Sequence, residues 1–225
     1  MNQQNQIALV VFDMAGTTVE DGGQVPAAFS AVLERQGLPI SAEEIHALRG
    51  MSKRAALAQI LEKGLGRSAN PDEVNALFAD FQRELAIRYE GTVAEVAGAA
   101  ACFARLRNCG IKVVLNTGFE RATVDLLLDA LGWQTGVVDA VVCGDEVRAG
   151  RPAPYLIFHA MEATGVTDVR QVMTVGDTVL DLQAGYNAGV GLNVGVLSGA
   201  HQRAQLEQQP HSHLIASVAE LDRLL

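Results

Sequence analysis

The sequence predicts an α/β fold: a Rossmann-like parallel sheet, interrupted after its first strand by an all-helical cap domain. Three observations carry this. Apolar runs of strand length, bounded by turn residues, recur at Ile7–Phe12, Ile111–Leu115, Val137–Val142, Val172–Val175 and Leu192–Val196. Amphipathic stretches at Arg121–Leu131, Pro154–Thr164 and Leu180–Ala188 separate the later runs, and apolar strands alternating with helices indicate a parallel sheet covered on both faces. Residues 21–97 differ, with helical patterns and no convincing strand. The predicted division is an α/β core over 1–20 and 98–225 and a helical cap over 21–97.

The first apolar run is six residues, far short of the ~20 that span a bilayer. Met1–Gln6 lacks the basic segment of a secretion signal, so the run reads as a buried strand. Within the cap, Pro26 opens a first helix that Gly37 closes. Ser41 and Glu44 form a capping box, and that helix stops at Gly50. Ser52 is a cap for the next, and Asn70-Pro71-Asp72-Glu73 starts a long helix ending near Tyr89. The glycine-bearing segments Asp21–Gly23 and Gly91–Gly98 are expected linkers suited to hinge motion. After Gly98 the alternating pattern returns.

Of 225 residues 49% are hydrophobic and the formal net charge is -9, enough to bury a core and acidic enough to repel nucleic-acid phosphates and anionic membrane. Neither is an expected partner, and an anionic ligand would need a local positive site. Cys102, Cys109 and Cys143 have no metal-ligand spacing and imply no disulfide framework, which fits a reducing cytoplasm. The alanine-rich cap helices could pair into a homodimer.

Open parallel sheets place their sites at the carboxyl ends of the strands. Polar residues follow four runs in order: Asp13-Met14-Ala15-Gly16-Thr17-Thr18, then Asn116-Thr117-Gly118, then Cys143-Gly144-Asp145 with Gly150-Arg151-Pro152, then Gly176-Asp177-Thr178 with Asp181. Singly, each is ordinary: a turn aspartate, a strand-to-helix turn, a solvated arginine. In sequence they supply carboxylates for a hard cation such as Mg2+, with hydroxyl, amide and guanidinium donors for phosphate.

Asp13-x-Ala15-Gly16-Thr17, Thr117, Arg151 and Gly176-Asp177-Thr178-x-x-Asp181 resemble the four ordered motifs of the haloacid dehalogenase superfamily, and the insert sits where that superfamily carries its cap. The resemblance implies a Mg2+-dependent hydrolase with Asp13 as nucleophile. Asp13, the Ala15 carbonyl and Asp177 would hold the metal, and Asp181 would support that side. Thr17, Thr117, Gly118 and Arg151 would bind substrate, with Arg49 reaching it from the cap.

Superfamily phosphatases generally carry an acid two residues after the nucleophile; Ala15 cannot transfer a proton. Asp13–Thr17, Ala149-Gly150-Arg151-Pro152 and Asp177–Asp181 are similar to the phosphonatase group, phosphonoacetaldehyde hydrolase and its phosphonatase-like relatives. That group also has a cap lysine three residues after a glycine, here Gly50-Met51-Ser52-Lys53. A neutral Lys53 amine would condense with a 2-oxoalkylphosphonate, and the protonated Schiff base would accept the electrons of the breaking C–P bond, so no acid beside Asp13 is needed. Its ordinary pKa of ~10.4 must fall by burial or nearby positive charge. Lysine here is scarce, three against fourteen arginines.

Phosphonatase proper has histidine where Ala56 stands, methionine at Arg49 and cysteine at Gly23, which places the expectation on the phosphonatase-like relatives. The five histidines lie outside the motifs; His46 could serve as a base, a solvated side chain being its ordinary reading. Two other readings stay open. One is a phosphomonoesterase or phosphomutase using Lys53 to grip phosphate. The other is a catalytically impaired regulatory protein that keeps the phosphate-ligand site.

Overall fold

The computed structural model describes residues 7–225. The reading of Met1–Gln6 falls outside them. Six parallel strands, β1 (Leu9–Asp13), β2 (Lys112–Asn116), β3 (Ala140–Val142), β4 (Val172–Gly176), β5 (Leu192–Val196) and β6 (His213–Ile215), form one sheet in the order β3-β2-β1-β4-β5-β6. The predicted Rossmann-like parallel core is therefore present.

Side chains alternate along each strand, so β1 feeds two cores. Val10 and Phe12 join Phe103, Leu106 and Leu127 on one face, from α5 (Ala99–Asn108) and α6 (Arg121–Leu131). Leu9 and Val11 join Leu156, Ile157 and Ala184 on the other, from α7 (Tyr155–Thr164) and α8 (Val179–Ala188). Burial on both sides explains why these strands read as unbroken apolar runs.

Between β1 and β2 stand α1 (Gln24–Arg35), α2 (Ala42–Ala47), α3 (Lys53–Leu65) and α4 (Pro71–Tyr89). Capping boxes at Ser41/Glu44 and Asn70/Glu73 start α2 and α4 as the sequence predicts. Pro26 sits in the first turn of α1, two residues after its start, where its missing N–H has no intrahelical partner to lose. Ser52 precedes α3, but its side chain makes no capping bond. The four helices pack through Phe29 on Phe81, with ring centroids 4.6 Å apart, and through buried Val32, Leu57 and Leu85. Their core is continuous with one face of the sheet.

The two connections run side by side. Glu20 N–H donates to the Ala94 carbonyl (2.9 Å) and Val96 N–H to Thr18 (2.9 Å). This short ladder brings the chain back beside its point of departure.

Several elements differ from expectation. β3 is three residues, because 137–139 leave the sheet before pairing begins. β6 escaped notice: His213–Ile215 is a short, half-exposed edge strand with no alternation to read. The chain closes with α9 (Arg203–Leu206) and a 3-10 turn over Val218–Leu224. Cys102 and Cys143 are buried and free, and Cys109 is exposed. No helix among the described residues is long and apolar enough to cross a membrane.

Leu85 is fully buried at the centre of the helical layer. Leu85→Ala is expected to lower unfolding free energy by ~2–5 kcal/mol in chemical denaturation; a loss below ~1 kcal/mol would contradict the packing described.

Candidate active site

β1 pairs with β2 on one side and β4 on the other, so the strand order reverses at β1. That switch point opens a crevice at the carboxyl ends of the strands. Asp13 ends β1 in register with Asn116 of β2, and Asp177 directly follows Gly176 of β4. Register alone thus brings the first and fourth strand-end motifs together.

Arg151 arrives from the loop ahead of α7 and is almost wholly buried. One of its terminal nitrogens, Nη2, donates to Asp13 Oδ1 (2.6 Å) and to Asn116 Oδ1 (3.0 Å), and Nη1 lies 2.6 Å from Asp181 Oδ1. Asp181 is the third residue of α8 and forms a capping box with Thr178, so a helix start fixes the far end of the fork. Asp177 is fully buried. It accepts from Thr17 Oγ1 (3.1 Å) and from the Ala200 N–H (2.6 Å). Gly16, at φ +90, lies so near that a side chain there would stand 2.5 Å from an Asp177 oxygen.

Asp13, Asp177 and Asp181 each offer a carboxylate oxygen, all within 4.8 Å of one another and all buried. Burial pushes Asp13 up to about 6, with Arg151 opposing and Asp181 adding to the rise. Asp177 is raised well above the carboxylate range by burial, then by Asp13 and Asp181. Three carboxylates face one buried guanidinium, and a divalent cation would relieve that imbalance. Asp181 gives one oxygen to the Arg151 cation and the other to Thr178, whereas Asp177 accepts only from the neutral donors Thr17 and Ala200. The Ala15 carbonyl accepts no hydrogen bond among the described residues, so Asp13, Asp177 and Ala15 are the donors best able to hold an ion.

The cleft over this cluster is lined by Asp13, Ala15, Thr117, Gly118, Arg151 and Asp177 from the sheet side, and by Arg49, Gly50 and Lys53 from the helical side. Its cavity is about 50 Å³, far below the ~300–1,000 Å³ of drug-sized pockets, so it suits a small ligand. Thr117 Oγ1 accepts from Phe119 N–H (3.2 Å), which leaves its own proton free to donate. Gly50, at φ +83, lets the loop after α2 press on α8: a Cβ there would lie 2.6 Å from Thr178 Oγ1. Gly118 meets the same loop at the Met51 carbonyl.

Lys53 opens α3, donates to the Met51 carbonyl (3.3 Å) and lies 5.1 Å from the Phe119 ring centroid. Burial brings its amine down to about 8, with Asp13 opposing and Arg151 assisting.

Thr17, expected to touch substrate, does not line the cleft; its hydroxyl is spent on Asp177. Asp181 also lies behind the cleft wall, joined to it through Arg151. His46, read as solvated, is partly buried, edge-on to buried His201 with centroids 4.9 Å apart. Sequence reasoning missed Asp21, which lines the cleft and pairs with Arg49. It also missed Ser198-Gly199-Ala200, which closes over Asp177. The strand-end rule would have found that segment if applied to the fifth run.

A family model described as haloacid dehalogenase-like hydrolase matches residues 7–189. Phosphonoacetaldehyde hydrolase of Bacillus cereus (strain ZK / E33L) is 28% identical over 214 residues, 91% of this chain and 81% of the relative. The bifunctional phosphonoacetaldehyde hydrolase/aminoethylphosphonate transaminase of Clostridioides difficile (strain 630) is also 28% identical, and the chain spans 34% of its length. The crystal structure of a phosphonoacetaldehyde hydrolase-like protein from Oleispira antarctica superposes with a TM-score of 0.85 at 22% identity, over 97% of this chain and 91% of that one, a likeness of fold.

Raised carboxyl pKa values mean that the cation-free folded chain holds protons the unfolded chain has released. The site therefore destabilises the fold as pH rises from about 4 through about 6, where Asp13 ionises. Added Mg2+ at ~100 times its Kd is expected to raise the melting temperature by about 5–10 °C at pH 7.5 and by less at pH 4.5, with the gain lost in Asp177→Asn. Equal shifts at both pH values, or none, would contradict the cluster's role.

Proposed function

The chain belongs to the haloacid dehalogenase-like hydrolases, and from that footing we propose that it hydrolyses the C–P bond of a small 2-oxoalkylphosphonate. The observation that carries the reading is the meeting, in one cleft, of a nucleophile with no neighbouring acid and a lysine whose amine is easily freed: Asp13, Ala15 and Lys53. The 28% identity to phosphonoacetaldehyde hydrolases supports it.

The phosphonate lies against Arg151 and the Thr117 hydroxyl, its carbonyl toward the cap. The neutral Lys53 amine adds to the carbonyl carbon and water leaves, giving a protonated imine. A carboxylate oxygen of Asp13 attacks phosphorus. The C–P bond breaks, and its electron pair passes into the iminium to leave an enamine while phosphorus stays on Asp13. Protonation at carbon and hydrolysis of the imine free the carbonyl product, and water releases phosphate from Asp13. The sum is one water added, with phosphate and the dephosphonylated aldehyde or ketone formed. Mg2+ held by Asp13, Asp177 and the Ala15 carbonyl would supply charge neutralisation for the phosphoryl group.

Arg151 has two tasks. It holds Asp13 in register through Oδ1, and its buried charge offsets part of the incoming dianion. Lys53 needs a cleft dry enough to lower its pKa yet close to the reacting carbon, and α3 places it at the cleft wall. An esterase or mutase would need a proton donor for the alcohol oxygen, and Ala15 provides none.

Borohydride added during turnover of 2-oxoethylphosphonate is expected to inactivate the enzyme and leave a reduced adduct on Lys53 by mass spectrometry. Lys53→Arg should lose at least ~100-fold in kcat with no adduct; full activity in Lys53→Arg would overturn the imine, and hydrolysis confined to phosphate monoesters would overturn C–P cleavage. Because the amine must be neutral, log kcat/KM should rise with pH and level off above about 8. A rate flat from pH 6 to 9 would contradict this.

A further inference from the structure

The cleft has two cationic ends. At the sheet end Arg151 is held by Asp13, Asp181 and Asn116 through its two terminal nitrogens. At the cap end stands Arg49, on the loop after α2, four residues before Lys53 in the chain. Among the described residues its side chain bonds only Asp21, through Oδ2, at 2.5 Å.

That pair is asymmetric. Asp21 is satisfied at both oxygens, Oδ2 by Arg49 and Oδ1 by the Gly23 N–H (3.1 Å). A guanidinium carries five N–H donors, and most of those on Arg49 have no acceptor among the described residues. Asp21 therefore anchors Arg49 to the linker and leaves its fork to something else. The surrounding wall is apolar, formed by Val25, Phe29, Ile45 and Leu48. Such a wall lowers the local dielectric beside the guanidinium, and an ion pair is strengthened accordingly.

We propose that the substrate carries a second anionic group, a carboxylate on the carbonyl carbon itself, and that Arg49 is the residue that selects it. The inference rests on the C–P reading above. With phosphonate at Arg151 and the carbonyl at Lys53, the remaining substituent of that carbon points to the cap end, where Arg49 waits. A carboxylate matches the guanidinium fork with two parallel hydrogen bonds. A methyl group or hydrogen leaves those donors facing an apolar wall. The class is thus a 2-oxo-3-phosphonocarboxylate. Its hydrolysis consumes one water and yields phosphate and a 2-oxo acid. A reaction that installs phosphorus on carbon next to a 2-oxo acid must supply it, and one that consumes 2-oxo acids takes the product.

The test compares phosphate release from 2-oxo-3-phosphonopropanoate and from 2-oxopropylphosphonate, which has methyl in place of carboxylate. Because 2-oxo acids are intrinsically the more electrophilic, the deciding quantity is how the ratio of their kcat/KM values changes with residue 49. Wild type should favour the carboxylate, and Arg49→Met should reduce that preference at least ~10-fold. Arg49→Lys, which keeps the charge and loses the planar fork, should lose less of the preference than Arg49→Met. Binding gives an independent reading: 3-phosphonopropanoate should inhibit wild type at least ~10-fold more strongly than propylphosphonate. A ratio unmoved by Arg49→Met together with equal inhibition would overturn the carboxylate proposal while C–P cleavage stood. Failure to release phosphate from either ketone or from 2-oxoethylphosphonate, with turnover of phosphate monoesters, would overturn both.

Discussion

The site is organised by one buried guanidinium. Arg151 reaches Asp13 with one nitrogen and Asp181 with the other, and Asn116 completes the grip. The groups it joins come from β1, β2 and the start of α8, with Arg151 itself from the loop before α7. Fixing those four segments to one planar ion sets the geometry of the whole crevice. Such an arrangement is weak as a source of net stability but expensive to break, since removing one partner of a buried pair costs ~3–5 kcal/mol. Its value is positional: Asp13 is held through one oxygen, and the remaining carboxylate charge is concentrated beside it. Asp177 then lies in a field that its own environment cannot neutralise, which is the physical reason to expect a cation.

The helical layer adds what the sheet lacks. The sheet end contributes a carboxylate, an arginine and a hydroxyl, but position 15 has no proton carrier. Lys53 comes from a helix inserted after β1, brought into place because Gly50 and Gly118 let the loop after α2 lie against the sheet end. The reading of imine chemistry depends on that contact: exposed to bulk water, Lys53 would keep its ordinary pKa and stay charged at neutral pH. The cleft's small volume and its apolar upper wall serve the same end, since both exclude water.

Much of this was legible in the chain. The apolar runs located five strands, because burial on both faces leaves a continuous signal, and the strand-end rule turned their order into a site. Capping boxes at Ser41 and Asn70 marked helix starts because they are local chemistry, complete within four residues. What was not legible depends on contacts distant in sequence. Thr17 is four residues from Asp13 in the chain, yet it bonds Asp177, 160 residues away. The Arg49–Asp21 pair crosses 28 residues and leaves no periodic trace. His46 reads as a surface side chain because its ring partner, His201, is distant in the chain and comes beside it only in the folded structure. β6 was too short and too exposed to carry a pattern.

The central claim is that Asp13, steadied by Arg151, takes the phosphoryl group. The most direct measurement is rapid acid quenching of a single turnover of 2-oxoethylphosphonate, followed by proteolysis and mass spectrometry of the peptide containing residues 9–17. The account expects a transient phosphoryl adduct on Asp13 that forms before free phosphate appears and is absent in Asp13→Asn. Phosphate release at the wild-type rate from Asp13→Asn, with no adduct on that peptide at any time, would contradict it.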